Sequence, residues 1–310
     1  MRPTLAQISE YLCCPDDGGR FAGLRDRLRC NSCNRLFPLY ENNVFDFLPT
    51  KPVAVDDLNA SERYVKEYSL EFSRPFRLRD DARAWGAPEN VPRIWSQHRE
   101  RHAREVLQFL GSGYPPSKGV FCDLSAGSGY CTFEASREYD FVFHCDLSLD
   151  SLGYAIAKAK RLRIENIVFI RADYFQLPFR GTISRLTCLD TLIRGSRHEL
   201  KLLESIGRAL SPDGAAVLDF HNWWHNPVRR LGLRPDNFKG NRSYTRRELS
   251  KLLADAGIPR FEIQAFIQES GPSRFWEFFS PLIPPTRFLV RISGQDRAKL
   301  EENISLAASA

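Results

Sequence analysis

The sequence predicts an α/β protein built on a parallel, doubly wound sheet and preceded by a small, cysteine-bearing β module. Three observations carry that prediction. Apolar runs ending in an acid recur between Phe121 and Asp219, with helical patterns between them, the alternation expected of strands joined by crossover helices. The first of these runs leads into a glycine-bearing turn, Ser125-Ala126-Gly127-Ser128-Gly129. Finally, four of the eight cysteines crowd the first 33 residues.

The N-terminal cluster is Cys13-Cys14-Pro15-Asp16-Asp17 and Cys30-Asn31-Ser32-Cys33. Two turns, each offering ligands three residues apart, are how a zinc ribbon clasps one tetrahedral ion between two hairpins. Gly18-Gly19 and Asn34-Arg35 sit where such knuckles turn, and Leu36–Leu39 and Val44–Leu48 follow as short strands. A module of about 45 residues has too little core to fold alone, so a metal would supply folding energy. Three readings stay open: a structural zinc on Cys14, Asp17, Cys30 and Cys33; a zinc with Cys13 as fourth ligand; and a metal-free ribbon held by its own core. A disulfide does not suit a reducing cytosol.

Lys51 to Leu58, with its prolines and acids, reads as a linker. Helical patterns run from Ala60 to Leu110 and break near Pro75, Pro88 and Pro92. Gln97 to Leu110 is the clearest helix, with Val106, Leu107 and Leu110 on one apolar stripe. The first strand then ends at Asp123, placed to accept a hydrogen bond from the turn amides or from a ligand's ammonium group. Gly127 and Gly129 let a ligand approach the backbone closely. The second run, Asp140 to Asp146, leads through Leu147-Ser148 into a helix from about Leu149 to Arg161. A third, from Ile167, ends at Asp173 and is followed by Leu177-Pro178-Phe179. The fourth, Arg185 to Leu189, leads into Asp190, and the fifth, Ala215 to Leu218, ends at Asp219. In nucleotide-binding α/β domains an acid at the tip of the second strand accepts hydrogen bonds from ribose hydroxyls, which assigns that role to Asp146.

At these residues the chain resembles the class I S-adenosylmethionine-dependent methyltransferases, which have a Rossmann-like doubly wound sheet. The family pattern Asp-Leu-Gly-x-Gly-x-Gly matches Asp123 to Gly129, with Ser125 replacing the first glycine. Its Asp-x-Ser matches Asp146-Leu147-Ser148, and its Asp-x-x-x-Leu-Pro-Phe matches Asp173 through Phe179. Arg208-Ala209-Leu210-Ser211-Pro212-Asp213-Gly214 matches the segment before strand five, with Asp213 in place of a glycine. The resemblance spans roughly residues 100 to 265. It implies S-adenosyl-L-methionine as cofactor, held by Asp123, Ser125, Gly127, Gly129, Asp146, Leu147, Asp173, Tyr174 and Asp190. Asp173 would take the adenine amino group, and Tyr174 or Phe175 would flank the ring. Helices before the first strand often cap the pocket in this family, which makes Tyr64, Tyr68 and Phe72 lid residues or, alternatively, sheet-packing aromatics. The first module resembles the small zinc-ribbon partners of tRNA and rRNA methyltransferases, with Asp17 where the second cysteine usually stands. The resulting organisation is a ribbon-like module at 1–50, a linker and helical lid at 51–118, a cofactor-binding domain at 119–268 with a basic insertion at 222–247, and an aromatic extension at 269–310.

With 43% hydrophobic and 26% charged residues, the composition is that of a globular protein. No run approaches the roughly 18 apolar residues of a membrane span, and the start lacks the apolar core of a secretory signal, so the expected location is cytoplasmic. Net charge is only +6, so any basic surface is local. Pro227 to Arg247 is one such surface, with Arg229 and Arg230 among seven cations against Asp236. Clustered arginines favour phosphate or carboxylate partners. Together with Trp223 and His225 just before them, they are the expected substrate-binding residues. The stretch Phe275 to Pro285 is aromatic and would pack on the sheet, wall an acceptor pocket or touch a membrane surface, where Arg287 and Arg291 would meet anionic head groups.

Methyl transfer to oxygen needs a base for the acceptor's proton, and His221, two residues past Asp219, is the leading candidate, followed by His225 and His198. The leading function is methylation of an anionic or glycosylated small molecule, lipid-linked acceptors included. An RNA methyltransferase gripping the backbone through its arginines is the first alternative. A non-catalytic scaffold that has kept the fold is the second.

Overall fold

The computed structural model describes residues 2–24, 26–40, 44–52, 62–79, 81–84, 86–112, 119–191, 198–222, 243–266 and 285–294. Trp223, His225, Arg229, Arg230, most of the basic insertion and the aromatic stretch from Phe275 therefore lie outside the described residues.

A short helix, α1 (Leu5–Ser9), opens the chain under a capping box in which Thr4 and Gln7 satisfy each other's backbone amides. Strands β1 (Phe21–Leu24), β2 (Arg27–Cys30), β3 (Leu36–Tyr40) and β4 (Val44–Asp46) follow as an antiparallel meander. Helices α2 (Glu62–Ser73) and α3 (Arg93–Gly111) lead into β5 (Val120–Leu124), α4 (Tyr130–Ala135), β6 (Phe141–Asp146), α5 (Leu149–Leu162), β7 (Ile167–Arg171), β8 (Ile183–Cys188), α6 (His198–Ala209) and β9 (Leu210–Asn222). The pairs β5–β6, β6–β7, β5–β8 and β8–β9 are all parallel, as the alternating pattern predicts. The chain closes with β10 (Ser243–Tyr244), α7 (Arg246–Asp255), β11 (Phe261–Phe266) and β12 (Arg287–Ser293).

Sheet order is β1-β2-β3-β4-β7-β6-β5-β8-β9-β12-β11, with β10 beside β9. The central strands are buried on both faces, and their side chains alternate between two cores. Cys122, Phe143 and Ile170 face one layer with Leu202 and Ile206 of α6. Phe121, Val142 and Phe169 face the other with Val106 of α3 and Leu152 of α5. That period of two with apolar residues at every position explains why these strands read as continuous apolar runs. Helix α5 shows how local chemistry sets element ends: Ser148 caps its first turn, Lys160 and Arg161 occupy its last, and Arg163 stops it at φ 54°.

Two expected domain limits are crossed by hydrogen bonds. β4 of the first module pairs in parallel with β7, Phe45 opposite Ile170. β12, from the expected extension, lies antiparallel between β9 and β11. That neighbour carries β9 past the expected end at Leu218: Ala215 to His221 pair with Ser293 to Arg287. It also corrects the reading of two arginines as membrane contacts. Arg287, half-buried, pairs with Asp219, and Arg291, 9% exposed, bonds Ser112 and Glu262.

Candidate functional site

Strand order reverses between β5 and β8. The chain passes from β5 through β6 to β7 on one side, then returns to β8 on the other. Ligands of open α/β sheets bind beyond the strand ends at such a switch point, and the glycine-bearing turn lies there. Ser125, Gly127 and Gly129 all take positive φ, at 55°, 54° and 76°. A Cβ on Gly129 would come 2.8 Å from the Phe133 ring, whereas one on Gly127 would meet nothing within 4 Å. Gly129 is thus required by packing, and Gly127 leaves open backbone for a ligand.

Two acids order this turn. Asp123 accepts from Thr132 N (2.9 Å), Thr132 Oγ1 (2.6 Å) and Thr187 Oγ1 (2.8 Å), tying β5 to α4 and β8. Burial pushes its pKa up to about 6 against the pull of those hydrogen bonds. Asp146 accepts from Gly127 N at 2.7 Å and from Ser148 N at 2.8 Å, and burial raises it to about 6 as well. Asp173 departs from its expected exposure to a ligand. It is 0% exposed, and its carboxylate takes the Tyr68 hydroxyl at 2.5 Å and the Phe175 amide at 3.0 Å. Helix α2 thereby closes over the end of β7, with Tyr68 edge-on to Phe175.

A cavity of about 330 Å³ opens beside the turn. Asp123, Ser125 and Gly127 form one wall, Arg99 and His102 of α3 a second, and Asp190, Asp219 and Arg287 a third, with Tyr174 also lining it. Gly129, Asp146, Leu147 and Asp173 stand outside this lining. The third wall is a charged cluster drawn from three strand ends. Asp219 accepts from Asp190 N at 2.5 Å and from Arg287 Nη1. Arg287 also lies 3.6 Å from Asp190. Burial opposes the arginine's charge, and the two carboxylates more than offset it, raising its pKa. His221 turns its Nε2 to Asp190 Oδ1 at 3.2 Å and does not itself line the cavity. His198, the third histidine considered, is buried against Tyr174, its Nε2 3.0 Å from the hydroxyl.

His102, Arg99 and Arg287 line this cavity without having been expected in the site. His102 did leave a signal: it interrupts the stripe of Ala103, Val106 and Leu110, which are buried, and a polar side chain on a core-facing stripe needs a reason. Arg287 left none, because only tertiary pairing brings β12 against β9.

The N-terminal module gathers Cys14, Asp17, Cys30 and Cys33, whose ligand atoms lie within 4.8 Å of one another. Cys14 and Cys33 sulfurs are 3.8 Å apart, and Cys30 lies 3.4 Å from Asp17 Oδ1. Backbone bonds Gly18 N to Cys14 O and Asn34 N to Cys30 O close the two knuckles. A Cβ on Gly19 would fall 2.7 Å from Cys30 Sγ and 2.9 Å from Asp17 Oδ1, so glycine is needed beside the cluster. Three sulfurs and one carboxylate oxygen in this space fit a closed, four-coordinate zinc site.

No family model matches the chain, and no curated protein sequence does. Solved structures do. Geranyl diphosphate C-methyltransferase from Streptomyces coelicolor A3(2) aligns over 75% of this chain and 98% of its own, at 17% identity and TM-score 0.50. Magnesium protoporphyrin IX methyltransferase from Synechocystis PCC 6803 covers 75% and 94%, at 15% identity and TM-score 0.47. Phosphoethanolamine N-methyltransferase 2 of Haemonchus contortus aligns over 62% of this chain at 13% identity and TM-score 0.49, and the chain spans 52% of that protein's length. At these identities the likeness is one of fold. The chain has the Rossmann-like fold of the class I S-adenosylmethionine-dependent methyltransferases, with a small β module joined to one edge of its sheet.

Proposed function

We propose that this protein transfers a methyl group from S-adenosylmethionine to an oxygen of an anionic or glycosylated small molecule, lipid-linked acceptors included. The observation that carries the reading is the cavity, which runs from an open glycine turn at the switch point to a wall of His102, Asp190, Asp219 and Arg287. One end has the backbone a cofactor needs, and the other has groups able to orient an acceptor and handle its proton. When bound, S-adenosylmethionine supplies a methyl group already activated on a sulfonium. The chain's own work is therefore positioning and proton handling. Asp146 would hold the ribose hydroxyls, with Leu147 beside it. Asp123, fully engaged within the protein, would hold the turn in shape and place negative charge near the cofactor's cationic end. Tyr174 and Asp190 would line the path to the acceptor, and His221 would support Asp190.

Within the cavity three acids, Asp123, Asp190 and Asp219, face two arginines, Arg99 and Arg287. The cavity therefore carries no cationic surplus, which does not favour an RNA backbone. The preference for an anionic acceptor rests on Arg229 and Arg230, with Trp223 and His225, in the segment after β9. A structural zinc on Cys14, Asp17, Cys30 and Cys33 completes the proposal.

Calorimetric titration with S-adenosylmethionine and S-adenosylhomocysteine tests it. Wild type should bind both, and Asp146→Asn should weaken binding by about tenfold or more, the loss of charge-assisted hydrogen bonds. Because burial raises Asp146 and Asp123 to about 6, their carboxylates are charged at pH 7.5 and mostly protonated at pH 5. Affinity should therefore fall as pH drops through 6. Folded wild type that binds neither compound would overturn the proposal.

A further inference from the structure

Resting on that reading, we propose that His102 of α3 is the general base of the transfer, taking the acceptor hydroxyl's proton as its oxygen bonds to the methyl carbon. The electron pair of the breaking carbon–sulfur bond stays on sulfur, the thioether leaves neutral, and the proton is left on the imidazole. Three observations converge on this ring. It lines the cavity between the glycine turn and the strand ends, where an acceptor must sit to meet a methyl group. Its Nε2 is buried and has no hydrogen-bond partner among the described residues. The nearest acid, Asp219 Oδ2, is 3.8 Å away, beyond hydrogen-bonding range, and is already engaged by Arg287. A buried polar nitrogen left unpaired is costly, and a ligand hydroxyl would relieve it.

The electrostatic setting keeps the ring neutral and makes it a weaker base than a free imidazole, so the proton it takes relies on Asp219 nearby. Asp219 and Arg287 face the ring from β9 and β12, with Asp190 and His221 beyond them and Arg99 one turn back on its own helix. Burial is the largest influence and drives the imidazole's pKa down to about 4, with Arg287 adding to that and Asp219 opposing it. The ring is thus neutral at pH 7 and available to accept a proton. Asp219, 3.8 Å from the ring and paired with Arg287, is placed to stabilise the imidazolium that forms. His221, by contrast, already spends its Nε2 on Asp190 at 3.2 Å.

The simplest competing role for His102 is packing, since its ring lies 4.3 Å from that of Phe266. The test separates the two roles. Ring-nitrogen NMR of the unliganded protein should show a neutral His102 at pH 7, and a charged ring there would overturn the assignment. Transfer of labelled methyl from S-adenosylmethionine into a small-metabolite and lipid extract is then compared among wild type, His102→Gln and His102→Phe. Both variants should lose about 100-fold or more, retain S-adenosylhomocysteine affinity, and show a residual rate that climbs with hydroxide. His102→Phe keeps a ring against Phe266, so transfer restored by phenylalanine would leave packing as the whole role. Turnover near wild type in His102→Gln would also remove the base while leaving the transferase reading intact. Wild type that binds S-adenosylhomocysteine yet labels no fraction would overturn the transferase reading and this assignment with it.

Discussion

Ser125 replaces the first family glycine, and the residues alone leave its conformation unstated. In the structure it holds φ at 55°, in the left-handed region, which costs a residue bearing Cβ about 1–2 kcal/mol. The position tolerates serine because the turn is fixed on both sides: Ala126 N donates to Cys145 O at 3.1 Å and Gly127 N to Asp146 at 2.7 Å. Glycine there would relieve the strain but loosen the unfolded chain, so the two effects partly cancel. We expect Ser125→Gly to shift stability by less than about 1 kcal/mol and to keep cofactor affinity. Ser125→Val, β-branched in a left-handed site, should lose about 2 kcal/mol in urea denaturation. A valine variant as stable as wild type would show that the turn is free to adopt another shape.

At the scale of elements, α2 is the one whose position most changes the picture of the site. Arg171, 2% exposed, reaches from β7 to the carbonyls of Glu71 and Arg74 at the helix end and to Asp46 of β4. One buried guanidinium thus clamps α2 and the first module to the same strand, and Arg74 adds a bidentate pair with Asp150 at 3.0 Å. The clamp holds Tyr68 on Asp173, the acid to which the family resemblance gives the adenine amino group. Tyr68→Phe should cost about 1–3 kcal/mol of stability by leaving a buried carboxylate short of a donor. It should also tighten S-adenosylhomocysteine several-fold, because the acceptor is then open. Unchanged affinity in calorimetry would mean that adenosine binds without using Asp173. The strands, their order of acids and the glycine turn were legible because each is written in local pattern. Tyr68 was legible as an aromatic near the pocket but not as the partner of Asp173, 105 residues away. Arg287 was invisible as a site residue and His102 showed only as a polar break in an apolar stripe, since their joint meaning comes from which strand ends the sheet brings together.

At the scale of the whole molecule, the first module is part of the sheet rather than a bead on a linker. β4 continues the parallel ladder from β7. Phe37 and Phe47 stack with centroids 4.8 Å apart, inside the same buried cluster as Phe143 and Phe179. Cys13 N bonds Pro178 O at 2.9 Å, and Thr182 Oγ1 bonds Tyr11 O at 2.7 Å, so the knuckle is stitched to the loop after β7 and to the start of β8. Among the described residues β1, β2 and β3 join the ladder of the main sheet by way of β4, and the cluster of Cys14, Asp17, Cys30 and Cys33 ties the two knuckles at their far end. Metal binding to the native state alone adds its free energy to folding. If zinc occupies the cluster, its removal should weaken the whole sheet and not just the knuckles. Elemental analysis should find one zinc per chain in the purified protein. Chelation, or Cys30→Ser, should lower a single melting transition by about 10 °C, roughly what a loss of several kcal/mol does in a domain of this size. Hydrogen exchange should then show lost protection in β4 and β7 together. Two separate transitions, with β7 untouched by chelation, would mean that the module folds on its own and that its junction with the sheet carries no stability.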